Sequence, residues 1–514
     1  MGWLLDVAVI LAYFTLIIWV GLSRGKKETN LKDFALAGRR MPWWAVLGSI
    51  VAAETSAGTF VGTPIEGYTL RNYTFLQLVL GAVIGRVIVG YLFIPAYFRL
   101  GVYSIYEFLE ARFGPGTKNW GSAIFLFTRV LAIGTRLYIA AVVPVLAFRI
   151  LWGEPSGAAG EVGMFVLAIG LITILTAIYT TIGGIKAVIW TDIIQATLMM
   201  GCGCLAIAYL YSRIDGGWEG LRTAIGGFDQ LRVFSTGLRA GEGARAGLLS
   251  VLTSDYTIFS ALIGYTFTTM ATHGTDQDMV QRLLTAPNVR DSRRSLLLSG
   301  ALELPIFATF LTVGILLYAF YQQHPDPLLP KKSNEIFGHF ILHNLPAGLR
   351  GMMLAGILAT AMGSLSAALN ALATSFVRDW YIPYLKPKAS EAQVLHQARF
   401  VTVIFALILI AVGAATSYLV ILSPKSRIIP IALGALGFTY GSLLGIFLLG
   451  ALTRKRGSDR GNGWAVVAGI VVVALFSGLG TNATGFPVIA FPWRILLGVL
   501  VTFGTGCLFR TPTR

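Results

Sequence analysis

Glu54, Thr55, Ser56 and Thr59 stand in an apolar run that reads MPWWAVLGSIVAAETSAGTFVGTPIEGYTL over residues 41–70. A carboxylate, hydroxyls and freed peptide carbonyls are all oxygen ligands, the kind a hard cation prefers. Gly58, Gly62 and Pro64 follow. Glycine lowers helix preference and proline removes a backbone donor, so an unwound stretch is expected near the middle of this segment. Unwinding there would present free carbonyls and two half-helix ends at mid-membrane, where they can hold ions. The alternative is a proline kink filled by neighbouring helices, with Glu54 facing a polar cavity.

A second stretch, AGILATAMGSLSAALNALATSF over 355–376, repeats small residues every fourth position at Ala359, Gly363, Ala367 and Ala371. That spacing makes one smooth ridge for close helix contact. Thr360 and Ser364 are four apart, as are Ser366, Asn370 and Thr374. Oxygens at that interval share a helix face and can ligate a cation, or they can bond back to their own helix carbonyls. Asp192, Glu303, Arg86, Arg129 and Arg136 also fall inside apolar segments. A charge at mid-bilayer costs about 2.5–3.5 kcal/mol on insertion scales. So many charges call for a polar interior, with either a bound ion or structural Arg–Glu pairing.

The elements that position these residues follow from composition. Of 514 residues, 55% are hydrophobic and 12% charged, with 59 glycines and a mean hydropathy of +0.72. A soluble protein is about 25% charged. This chain is therefore expected to be an all-α polytopic membrane protein. About thirteen segments are apolar for the ~20 residues a span needs: 3–23, 43–70, 75–98, 121–149, 162–183, 186–212, 247–274, 295–322, 347–378, 397–417, 428–450, 464–482 and 493–509. No basic residue precedes the first, and Arg24, Lys26 and Lys27 follow it, so it reads as a retained span rather than a cleaved leader.

With the N-terminus outside, odd-numbered connections hold roughly 24 Lys and Arg against roughly 13 on the other side. The positive-inside rule then places the N-terminus outside and the C-terminus in the cytoplasm. The net charge of +16 reflects these basic loops, and no basic–aromatic patch suggests nucleic acid. Cys202, Cys204 and Cys507 lack the spacing of a zinc or redox site. Neither a paired-histidine metal motif nor a Gly-flanked serine elbow is present, so an enzyme is not expected.

Five stretches in order resemble the sodium:solute symporter family, whose members carry proline, sugars, iodide and sialic acid. They are AGRRMPWWAVLGSIVAAETSAGTFVGTP (37–64), YSIYEFLEARFG (103–114), GGIKAVIWTDIIQ (183–195), THGTDQDMVQRLLTA (272–286) and the 355–381 stretch ending RDWY. The resemblance implies a LeuT-type 5+5 inverted repeat working by alternating access. The single transmembrane domain would comprise an extra first helix and basic loop (1–42), a first repeat (43–212), an outside loop (213–246), a second repeat (247–450) and two added helices (451–514).

The resemblance also implies Na+ as coupling ion, held by carbonyls at Ala52, Thr55 and Thr360 with the 363–364 pair. Many members carry two hydroxyls at that pair; this chain has Gly363 and Ser364. A second cation site would use Asp192 with Ser366 and Ala367, again one hydroxyl short. The solute pocket would draw on Glu54, Ser56, Thr59, Arg136, Thr269, Thr272, His273 and Glu303. Glu54 matches an aspartate of proline carriers and could bind sodium, a substrate amine or a proton. Arg136, or else Arg129, matches the arginine with which sialic acid carriers hold a carboxylate. Sugar carriers have a tyrosine at the position of Thr272 and a lysine at that of Glu303, which disfavours a sugar. His273 is a satisfied polar residue, a gate or a proton carrier.

The expected function is sodium-coupled symport of a small organic anion or zwitterion across the plasma membrane. The partners are the solute, sodium and the lipid bilayer, with no obligate protein partner evident. A proton-coupled carrier, or a sensor or scaffold that keeps the transporter fold, is the alternative.

Overall fold

The computed structural model describes residues 2–25, 28–55, 58–238, 243–331, 333–422, 428–477 and 488–511. Among them the chain is helical, with a single isolated bridge between Arg456 and Arg510 in place of any strand. Seven helices are long and apolar enough to cross a membrane, and a bent pair makes an eighth. The expected total of thirteen is not reached by length alone, because several expected segments lie on shorter, interrupted or merged helices.

The merged case is Gly157–Ser212, 56 residues long. Unbroken, it would run about 84 Å at 1.5 Å per residue, nearly three times the ~30 Å hydrocarbon core. It breaks at Gly184, whose φ of 51° and ψ of −152° lie in a region that is essentially glycine's alone. A Cβ there would sit 2.5 Å from the Phe34 carbonyl oxygen, so the break also lets the short helix Leu31–Leu36 approach. The split falls between the expected segments 162–183 and 186–212.

The segment expected at 247–274 differs. Helix Ala244–Thr253 ends before a non-helical stretch, and helix resumes through Ser260–Tyr265 into Thr266–Gly274. In that stretch the Ser260 hydroxyl donates to the Asp255 carbonyl, and Thr257 N–H donates to Ser260 Oγ at 2.9 Å. Local bonds to side chains thus compete with the helix ladder. The expected connections near 213–246 and 323–346 also carry helices, Gly217–Ile225 and Ser333–Asn344.

The run containing Glu54 is broken as its glycines and proline lead one to expect. Trp43–Glu54 ends at Thr55 (φ −88°, ψ 79°), and the chain resumes as helix from Gly58 to Leu70, bent by 59°. Two glycines seat the Gly58–Leu70 half. A Cβ on Gly67 would lie 2.3 Å from the Leu311 carbonyl oxygen, and one on Gly314 would lie 2.0 Å from that of Pro64. Backbone meets backbone here, which only glycine permits. The small-residue helix Leu349–Phe376 is the most enclosed of the spanning helices and packs against both Trp43–Glu54 and Gly58–Gly62.

Candidate solute and cation site

Beside the broken helix lies a cavity of about 480 Å³. Six of the eight expected solute residues line it: Glu54, Thr59, Arg136, Thr272, His273 and Glu303. Thr269 does not. Its side chain is buried against Gly85, and its carbonyl oxygen accepts from the Thr272 hydroxyl at 3.2 Å. Ser56 lies outside the described residues.

The cavity wall is built on Arg86, a wholly buried guanidinium that the sequence shows only as an in-span charge. Its Nη2 donates to Glu54 Oε1 and to Glu303 Oε1, each at 2.7 Å. Nη1 reaches Glu303 Oε2 at 3.1 Å, and Nε reaches Ser299 Oγ at 3.2 Å. Arg86 thus receives Glu303 through the two-pronged geometry that guanidinium favours. His273 Nε2 lies 2.5 Å from Glu54 Oε1, and its Nδ1 lies 2.9 Å from Thr272 Oγ1. Glu54 and Glu303 are therefore already matched to a resident cation.

The two arginines left open by the sequence are separated by their partners. Arg129 donates to Asp276 and lies 3.4 Å from Asp278, while the Tyr440 hydroxyl also bonds Asp276. Asp276 is held in place because it caps the short helix Gln277–Leu283, accepting from Asp278 N–H at 2.9 Å. Both arginines line the cavity, but Arg136, among the described residues, forms no ion pair.

The cation candidates fall into two groups. Around the break, Ala52 and Thr55 are buried, and Thr55 Oγ1 turns back to donate to the Val51 carbonyl at 2.5 Å. The helix ends at Glu54, so its last carbonyls are no longer drawn into a continuing ladder. On the facing helix, Thr360 Oγ1 donates to Ile357 O at 2.8 Å, whereas the buried Ser364 Oγ has no partner. The second group surrounds Asp192, which is wholly buried. Its Oδ2 accepts from Ser49 Oγ at 2.5 Å and from Arg282 Nη2 at 3.4 Å. Ser366 Oγ bonds back to the Gly363 carbonyl at 3.1 Å, and Ala367 is buried beside it.

Such a broken helix facing a small-residue helix can hold ions and a solute together. The profile of the sodium:solute symporter family matches residues 34–469. The chain belongs to the sodium:solute symporter family. It is 30% identical over 502 residues to a sodium/sialic acid symporter of Aliivibrio fischeri, covering 96% of this chain and 92% of that one. It is 29% identical to a sodium/sialic acid symporter of Proteus mirabilis, covering 91% and 88%.

Among solved structures it matches a substrate-bound, outward-open Na+-coupled sialic acid symporter with a TM-score of 0.81. The two are 27% identical, over 98% of this chain and 97% of the other. A nucleobase-cation-symport-1 family transporter in a closed conformation shares the fold, with a TM-score of 0.50 and 13% identity over 94% of each chain. This family member is thus an integral, multi-pass membrane carrier of LeuT-type fold that couples a small solute to sodium, and it is not an enzyme.

The residues missed by sequence reasoning are Arg86, Asp276 and Asp278. All three were visible as charges near or within spans. Their partners lie 32 to 217 positions away for Arg86 and 147 for Arg129–Asp276, and one sequence does not reveal such pairings.

Proposed function

We propose that this carrier takes up a small carboxylate-bearing solute of the sialic acid class together with sodium. The observation that carries the reading is Arg136. It faces the cavity without an ion-pair partner among the described residues, while Arg86 and Arg129 are matched to carboxylates. A guanidinium offers a carboxylate two parallel hydrogen bonds. The likeness to sialic acid symporters supports the same class.

Sodium is assigned to the break, with Ala52, Thr55, Thr360, Gly363 and Ser364, and to a second site at Asp192, Ser366 and Ala367. Thr59, Thr272 and His273 would complete the polar wall for the solute. A cation at the break stabilises the packing of the broken helix on Leu349–Phe376, the arrangement in which the cavity is formed. Solute then binds more tightly with sodium than without it, and by linkage sodium binds more tightly with solute. The thirteen-span, plasma-membrane topology with N-terminus outside, and the repeat boundaries given above, belong to this reading.

Purified carrier in liposomes should accumulate radiolabelled sialic acid when sodium is high outside, and should not when potassium replaces sodium. Sodium-independent equilibration, or no uptake of any carboxylate sugar, would overturn the proposal.

A further inference from the structure

The second cation site as the family resemblance draws it is one hydroxyl short, because residue 367 is Ala. The surroundings of Asp192 hold a replacement. One helical turn beyond it, Gln195 is 2% exposed. Its Nε2 donates to the Tyr13 hydroxyl at 3.3 Å, which turns the amide oxygen the other way. That oxygen has no hydrogen-bond partner, and neither does Asp192 Oδ1. Both lie against Gly363: a Cβ built there would lie 2.8 Å from Gln195 Oε1 and 3.5 Å from Asp192 Oδ1.

Buried acceptors without donors are uncommon in native proteins. Here two of them, on successive turns, converge where the facing helix carries no side chain. The Tyr179 hydroxyl lies within hydrogen-bonding reach of Gln195 and Ser366. It has one proton to give, which leaves an acceptor over. Converging oxygens without donors are what a hard cation requires.

We propose that the side-chain oxygen of Gln195 is a ligand of the Asp192 cation site, standing in for the hydroxyl absent at 367, and that Gly363 is glycine because a methyl group would fill the ion's place. This rests on the reading of a second sodium site at Asp192. The test is sodium titration of thermal stability on purified carrier without solute. Q195L, which removes the oxygen and keeps the bulk, should raise the half-saturating sodium concentration about tenfold. G363A, which leaves Gln195 intact but intrudes on the two oxygens, should do the same and serves if Q195L does not fold. Q195E, which keeps an oxygen there, should titrate at least as tightly as wild type.

A variant that is less stable at every sodium concentration with an unchanged half-saturation has lost only packing, and that result overturns the proposal. D192N separates the two levels. If D192N titrates like wild type, the second site itself is absent; if D192N shifts and both Q195L and G363A do not, only the role of Gln195 falls.

Discussion

Replacing Arg86 with methionine removes a guanidinium that is 0% exposed and leaves Glu54 and Glu303 facing each other without it. Removing one partner of a buried ion pair costs about 3–5 kcal/mol, because the remaining charge is left uncompensated. Here two carboxylates and the Ser299 hydroxyl lose their partner at once, so the upper part of that range is expected. His273 stays within 2.5 Å of Glu54 and offsets part of the loss on that side. Neutralising all three, as R86M/E54Q/E303Q, should recover most of the deficit, since a neutral buried set of similar volume is tolerated far better than a broken pair. The assay is unfolding in mixed detergent micelles with a denaturing surfactant, comparing wild type, R86M, E54Q/E303Q and the triple variant as a cycle. An R86M protein within about 1 kcal/mol of wild type, or a triple variant no better than R86M, would refute the claim that this cluster is a dry, mutually neutralising unit.

Arg136→Ala should weaken a carboxylate solute by about 10- to 150-fold, the equivalent of about 1.5–3 kcal/mol for hydrogen bonds to a charged group. The neutral amide analogue should change little, and isothermal binding of both compares them directly. Gly314→Ala places a methyl group 2.0 Å from a backbone oxygen, so it should lower the midpoint of thermal unfolding by the equivalent of about 1–3 kcal/mol. Glu28, in the connection after the first helix, has both carboxylate oxygens buried and unpaired; burial, with Asp33 nearby, pushes its pKa up to about 9. A carboxyl raised in the folded state keeps a proton that the unfolded chain has shed above its ordinary value near 4.5. Folding stability should therefore fall as pH climbs from about 5 to 9 and level off above, and E28Q should flatten that decline in a melting-temperature series.

The break at residues 54–58 was legible because its cause is local: one acid, three hydroxyls, two glycines and a proline interrupt an apolar run. The division near residue 184 was legible for the same reason, through the Gly183–Gly184 pair. The interruption at 254–257 was not, since it comes from hydroxyl and carbonyl groups that divert the ladder, and no proline or glycine marks it. Within the site, the acids and bases could be nominated one by one, but their matching could not. Arg129 and Arg136 sit seven apart on almost one helix face, and what separates them is Asp276 and Asp278 arriving from a short helix far along the chain. Gln195 lay in plain view in a family motif. Its unpartnered oxygen became apparent only once Tyr13 fixed its amide.

Arg86 bears on the half of the working cycle in which nothing is carried. After unloading, the protein must turn back across the membrane with its interior vacant, and every bare charge exposed to low dielectric on that journey raises the barrier. A guanidinium clamped to Glu54 and Glu303 is a passenger that never disembarks. It spares the idle stroke from having to recruit an ion for those two acids, and so favours a turnover in which the empty protein resets quickly and leaks little.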